Sequence, residues 1–181
     1  MKKVLFALLV SSSAFASDYV TTSVDQKDKL NSSEVHQVNR INLGHKFDNG
    51  FIIEGRMEDE TVRNPSKQEG LMQVKLEYDS QPILGWIPYA ALAVGQKSKA
   101  TTNFPFYAPE AGIKTSLNNW TLKFNHRYRA PFDDVNHYTT TENYIQIGYK
   151  FTKNDTVAYK FGRERGDSNY NINGISWNHS F

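Results

Sequence analysis

From Trp120 to Arg129 the chain alternates. Thr121, Lys123, Asn125, Arg127 and Arg129 share one side of an extended strand, and Trp120, Leu122 and Phe124 take the other. Cations at two-residue intervals are poorly arranged for breaking a bond. They can attract an anion, hold it through the planar fork of arginine, and release it. Other stretches alternate in the same way. If their apolar sides all face outward, one inner wall collects Arg40, Lys46, Arg56, Lys75, Lys114, Lys123, Arg127, Arg129, Lys150 and Lys160. Glu54, Glu58, Glu77, Glu110 and Glu164 fall on the same wall. A two-to-one excess of cations in a narrow, low-dielectric lumen focuses positive potential and enriches anions. Glu54 and Glu77 would keep the neighbouring cations from holding a solute too tightly, since conduction requires release. The alternative is that acids and bases pair and fill the lumen.

Catalysis has less behind it. His126 has no adjacent serine to activate and falls on the apolar side of its strand. Asp133-Asp134-Val135-Asn136-His137 could be an acid/histidine set or a weak divalent-cation site, but such clusters are common in solvated loops. His36 and His45 lack metal-ligand spacing, and without cysteine there is neither a disulfide nor a thiolate site. No cofactor is expected. Phe104-Pro105-Phe106-Tyr107 and Tyr138 could stack on sugars, though interfacial girdle residues are the more ordinary account.

Ten strands are needed to carry these residues. The alternation places them at 18–25, 35–47, 51–60, 71–79, 86–96, 106–117, 120–129, 142–151, 156–164 and in a last strand ending at Phe181. Asp48-Asn49-Gly50, Asn118-Asn119 and Lys153-Asn154-Asp155 are turn signals between them. The connections alternate in length. Polar loops at 26–34, 61–70, 97–105, 130–141 and 165–170 lie at one end, and short turns at the other. That two-sided pattern predicts a closed antiparallel barrel in a bacterial outer membrane, with periplasmic turns and termini and longer extracellular loops. In the final strand Ile175, Trp177, His179 and Phe181 share a face, which would look at lipid.

At the other end, Met1-Lys2-Lys3, an apolar run from Val4 to Val10 and Ala14-Phe15-Ala16 have the layout of a secretory signal cleaved after Ala16. The run is far short of the roughly 20 residues of a spanning helix. Residues 17–181 then form the barrel domain. The chain carries 21 Lys and Arg against 19 Asp and Glu; loss of Lys2 and Lys3 leaves 19 of each sign. Nucleic-acid binding has no support from such a balance. A hydrophobic content of 39% is low for a buried core and suits a wet interior.

The run Asn119-Trp120-Thr121-Leu122-Lys123-Phe124-Asn125-His126-Arg127-Tyr128-Arg129 resembles the n-W-x-L-x-(F/I)-x-x-R-Y-R strand of the oligogalacturonate-specific (KdgM-like) porins, a family that includes the sialic-acid-specific channel. His36 to Glu60 and Gln73 to Tyr78 are similar in pattern. The resemblance implies a monomeric, arginine-lined barrel that admits acidic oligosaccharides, with Arg127 and Arg129 in the lumen. It also implies twelve strands, so a ten-strand chain would be a shortened member. The expected function is passive uptake of anionic solutes, such as acidic oligosaccharides or sugar acids. The expected partners are those solutes, outer-membrane lipid and, through the strand ending in Phe181, the barrel-assembly machinery. A plugged structural or adhesion barrel and an outer-membrane barrel hydrolase are the alternatives.

Overall fold

The computed structural model describes residues 17–63, 66–99, 101–133, 135–136, 138–167 and 169–181. The expected signal peptide lies outside them. Ten strands run β1 (Ser17–Lys29), β2 (Val35–Lys46), β3 (Phe51–Arg63), β4 (Lys67–Asp79), β5 (Ile87–Ser98), β6 (Asn103–Leu117), β7 (Trp120–Pro131), β8 (Thr140–Lys150), β9 (Asp155–Gly166) and β10 (Tyr170–Ser180). Each pairs antiparallel with its neighbour in the chain, and β1 pairs with β10, from Tyr19 opposite Ser180 to Lys29 opposite Tyr170. The sheet closes into a barrel with no free edge. No helix among the described residues is long and apolar enough to cross a membrane.

Closure leaves each strand an inner and an outer face, and the alternation decides which is which. Ile41, Leu43, Ile53, Met57, Val74, Leu76, Leu92, Ile147 and Val157 all point outward and are exposed. So many exposed aliphatic side chains, in register around the wall, make sense only against lipid. Rings border this belt at the turn end. Phe51 packs on Tyr78 with centroids 5.0 Å apart, Trp120 on Tyr149 at 5.0 Å, and Phe181 ends the outward row of Ile175 and Trp177. A second group, Tyr107, Tyr128 and Phe132, sits higher on β6 and β7.

The turn at 47–50 forms as its sequence requires. Gly50 has φ +88°, and a Cβ there would lie 2.6 Å from the Asp79 carbonyl oxygen, so conformation and space both demand glycine. Asn118 supplies the positive φ of the β6–β7 hairpin. The opposite end departs from expectation. Half of the residues read as long loops are strand, leaving connections at 30–34, 64–66, 99–102, 132–139 and 167–169. The cause is geometric. An 11-residue strand such as β8 is about 36 Å long and, tilted by roughly 40°, rises about 28 Å, already more than a lipid band of about 25 Å. Residues beyond the band are polar on both faces, as in Lys67-Gln68-Glu69 of β4, so the sequence alternation fades while backbone pairing continues.

Candidate functional site

The inward face is charged along its whole height, and its charges touch. Starting near the turns, Lys114 Nζ lies 2.6 Å from Asp79 and 3.0 Å from Glu77. Glu77 also meets Lys75 at 3.0 Å, and Lys75 lies 3.5 Å from Glu54. Glu54 pairs with Arg56 at 3.1 Å and accepts a hydrogen bond from the Tyr19 hydroxyl at 3.0 Å. Arg56 and Arg40 share Glu58, at 3.6 and 3.0 Å. Arg40 pairs with Asp25, Asp25 with Lys160, and Glu142 with both Lys160 and Arg127. Asp25 fits at this hub because its neighbour on β10 is Gly174; a Cβ there would overlap the carboxylate at 2.0 Å. Lys123 stands to one side, 3.6 Å from Glu110 and 4.4 Å above the Tyr89 ring.

A second cluster fills the outer mouth. Lys27 lies between Glu164 at 3.3 Å and Glu60 at 3.9 Å, and Lys97 between Glu60 at 2.5 Å and Glu69 at 2.9 Å. His36 is held by Glu60 and Glu34, each at 2.7 Å. Beyond the strand, in the β1–β2 connection, hydrogen bonds from His36, Lys29 and Tyr170 bring the Glu34 carboxyl down to about 2.

Arg129 differs from the other lumen cations. Among the described residues no carboxylate lies within ion-pair distance of it. One terminal nitrogen donates to the Tyr138 hydroxyl at 2.5 Å, and the guanidinium rests against the Phe106 and Tyr138 rings at 5.6 and 5.1 Å. Its Nε is buried without a partner. Tyr138 belongs to the β7–β8 connection yet turns into the barrel, edge-on to Phe104 and Phe106 at 5.2 and 5.8 Å. Leu71, Ala93, Phe106 and Ala108 complete this small apolar plug. Phe104 and Phe106, read from sequence as girdle or sugar-stacking residues, are instead inward and almost fully buried, at 1% and 0% exposure.

Most residues expected to line the wall therefore do line it: Arg40, Glu54, Arg56, Lys75, Glu77, Lys114, Lys123, Arg127, Arg129 and Lys160. Lys150 does not join them. It is exposed at the rim beside the β8–β9 turn, outside the lattice. The charge ratio also changes. Asp25, Glu60, Asp79 and Glu142 are inward acids standing at the strand ends read from sequence, and Lys27 and Lys97 lie in segments read as loops. Acids and bases are consequently near parity. At the hub Arg40 is 7% exposed, Arg127 6% and Glu142 2%, and the cavity left among them and Lys160 is about 90 Å³. That volume suits a few waters and is far too small for a sugar.

The hydrolase candidates do not converge. His126 points outward and bonds Asn143 at 2.7 Å. Asp133 Oδ1 accepts from the amides of Val135 and Asn136 and from the Asn136 side chain, so it braces its own loop, and these bonds lower its pKa. Asp134 and His137 lie outside the described residues.

A closed barrel with an outward aliphatic belt and an ionised interior is a membrane β-barrel of the outer-membrane type. No protein-family model and no curated protein matches the chain. Among solved structures it is similar to a KdgM porin, at 12% identity over 90% of this chain and 99% of that one, with a TM-score of 0.52. An outer membrane channel from Pseudomonas putida F1 matches at 9% identity over 99% and 100% of the two chains, TM-score 0.54. The β domain of the Bordetella autotransporter BrkA matches at 8% over 92% and 99%, also at 0.54. Identities this low speak for the fold. More narrowly within the class, the KdgM resemblance read from Asn119 to Arg129 meets a barrel of the same fold, a KdgM porin, among the structural neighbours.

Proposed function

We propose that the protein is a narrow outer-membrane channel for small anions, shut in this state by its own ion pairs and by Tyr138. The observation that carries the reading is Arg129. Every other arginine of the lumen is matched by a carboxylate, whereas Arg129 is held by a phenol and two ring faces, with one buried nitrogen free to donate. An anion arriving at the outer mouth can take that donor without displacing an acid. Farther in, solutes advance by exchanging partners along the lattice from Asp25 to Asp79, and each cation releases its guest to a neighbouring carboxylate. Small inorganic or carboxylate anions fit such a path. Acidic oligosaccharides, expected from the family resemblance, would require the lattice to part. The exported, outer-membrane setting and recognition of the β10 strand by the assembly machinery belong to the same proposal.

The test is reversal potential across a planar bilayer containing the refolded protein in a salt gradient. The wild type should pass small anions in preference to cations, and Arg129→Gln should move the potential toward zero. Absence of current from protein shown to be folded would reject the channel. The observation of a lumen sealed by buried pairs would then favour the second reading, a structural barrel.

A further inference from the structure

The outer wall of β6 to β10 carries a groove of about 990 Å³ that plays no part in the lumen. Its floor is the upper edge of the apolar belt, formed by Ile113, Phe124, Ile145 and Phe161, and its rim is polar, with His126 and Arg163. We infer that this groove binds a phosphate-bearing, multiply acylated glycolipid of the outer leaflet, with an acyl chain on Phe124, Ile145 and Phe161 and a phosphate on Arg163 and Arg165. This rests on the membrane placement used above, but not on conduction.

Three observations support it. First, the groove straddles the level at which outward residues change from apolar to polar: Ile145 gives way to Asn143 on β8, and Phe161 to Arg163 on β9. An amphiphile with one part in hydrocarbon and its head in water matches that boundary. Second, Arg163 is exposed and offers only Nε, at 3.4 Å, to Asn171. Its two terminal nitrogens point to no carboxylate among the described residues and form the fork that grips phosphate bidentately. Arg165 repeats the charge one outward position higher, also exposed and without an ion pair among the described residues. Third, charge is segregated around the barrel. The outward positions of β7 to β10 above the belt carry no carboxylate, whereas Asp28 and Asp59 stand outward on β1 and β3, and Gln68 bonds Asp59 at 2.9 Å. The cationic side is the side with the groove. The polar rim is also pre-set: His126 is bonded to Asn143, and the Tyr159 hydroxyl reaches up to Asn173 at 2.9 Å.

The experiment is native mass spectrometry of the folded protein in detergent, offered bis-phosphorylated lipid A, its dephosphorylated analogue, phosphatidylglycerol or inorganic phosphate. Wild type should retain phosphorylated lipid A in preference to the other three. Retention should fall about tenfold in Arg163→Gln/Arg165→Gln and return in part with Arg163→Lys/Arg165→Lys, because an ammonium keeps the charge but not the fork. Equal retention of the dephosphorylated analogue, equal retention of phosphatidylglycerol, binding of inorganic phosphate alone, or an unaffected glutamine variant would each overturn the glycolipid site. Conductance of the same variant separates the two proposals. The glutamine variant should conduct as wild type, so a protein that retains lipid A but passes no current overturns the channel and leaves this site standing.

Discussion

Replacing Asp25 by Asn removes one negative charge from the hub while preserving its volume. In the wild type Asp25 sits at 2% exposure between Arg40 and Lys160. Arg40 keeps Glu58 at 3.0 Å, and Lys160 keeps Glu142 at 3.6 Å, so neither cation is orphaned. The stability cost should thus fall at the low end of the range for breaking a buried pair, about 3 kcal/mol. The electrical effect should be larger. A unit charge about 4 Å from a permeating ion is worth about 4 kcal/mol at an effective dielectric constant near 20. If relaxation of the lattice cancels two-thirds of that, a tenfold gain in preference for anions remains. Under a tenfold chloride gradient, a wild-type pore with a roughly threefold preference for anions sits at about 22 mV, and the variant should move to about 52 mV, toward the single-ion limit of about 59 mV. The assay is reversal potential on single insertions, paired with urea unfolding of the same protein in vesicles. A conducting Asp25→Asn protein whose reversal potential equals that of wild type would refute the idea that these buried pairs set selectivity.

Tyr138→Ala removes the ring that closes the outer mouth and the hydroxyl that holds Arg129, so single-channel conductance should rise; unchanged conductance would show that the constriction lies wholly at the hub. Val74→Arg puts a charge in the middle of the outward belt on β4 and should cost about 2–4 kcal/mol in bilayer unfolding experiments. The same change in a soluble-type exposed position would cost almost nothing. Glu34 titrates at about 2 when folded, below its ordinary value of 4.5, so its bonds to His36, Lys29 and Tyr170 stabilise the β1–β2 connection fully above pH 4.5. That contribution is lost as pH falls from 4.5 toward 2, and amide protection factors at residues 30–34, with exchange corrected for its intrinsic pH dependence, should fall across this window; protection that is flat there would count against it.

The strand count and the inward phase of β2 to β4 and β6 to β10 were legible because lipid on one side and water or ions on the other impose a strict period of two. The resolution of that signal ends where the lipid ends. Asp25, Glu60, Asp79 and Glu142 stand at the limits of the readable alternation, and these four acids turn an expected excess of cations into near parity. Lys27 and Lys97 were hidden for the same reason, in strand extensions that are polar on both faces. Lys150 has the correct phase but is the last residue of β8, out at the rim, which periodicity cannot reveal. Nor could it reveal that a loop tyrosine enters the barrel to meet Phe104 and Phe106, because contacts between β6 and the β7–β8 connection have no local pattern. The outward groove was out of reach too, being a matter of side-chain heights on adjacent strands.

The seam between β1 and β10 sets the order in which this chain can assemble. Nine of its ten pairings join strands adjacent in the chain, each of which can zip from its own turn as a hairpin. The tenth joins partners such as Thr21 and Asn178, 157 residues apart, and cannot form until a nine-pairing sheet has curled far enough to meet itself. Until then the sheet has two unpaired edges, which lipid cannot satisfy. The slow step in refolding should therefore be ring closure. A nick in an outer connection leaves all ten pairings possible, whereas shortening β10 turns a closed cylinder into an open, adhesive ribbon.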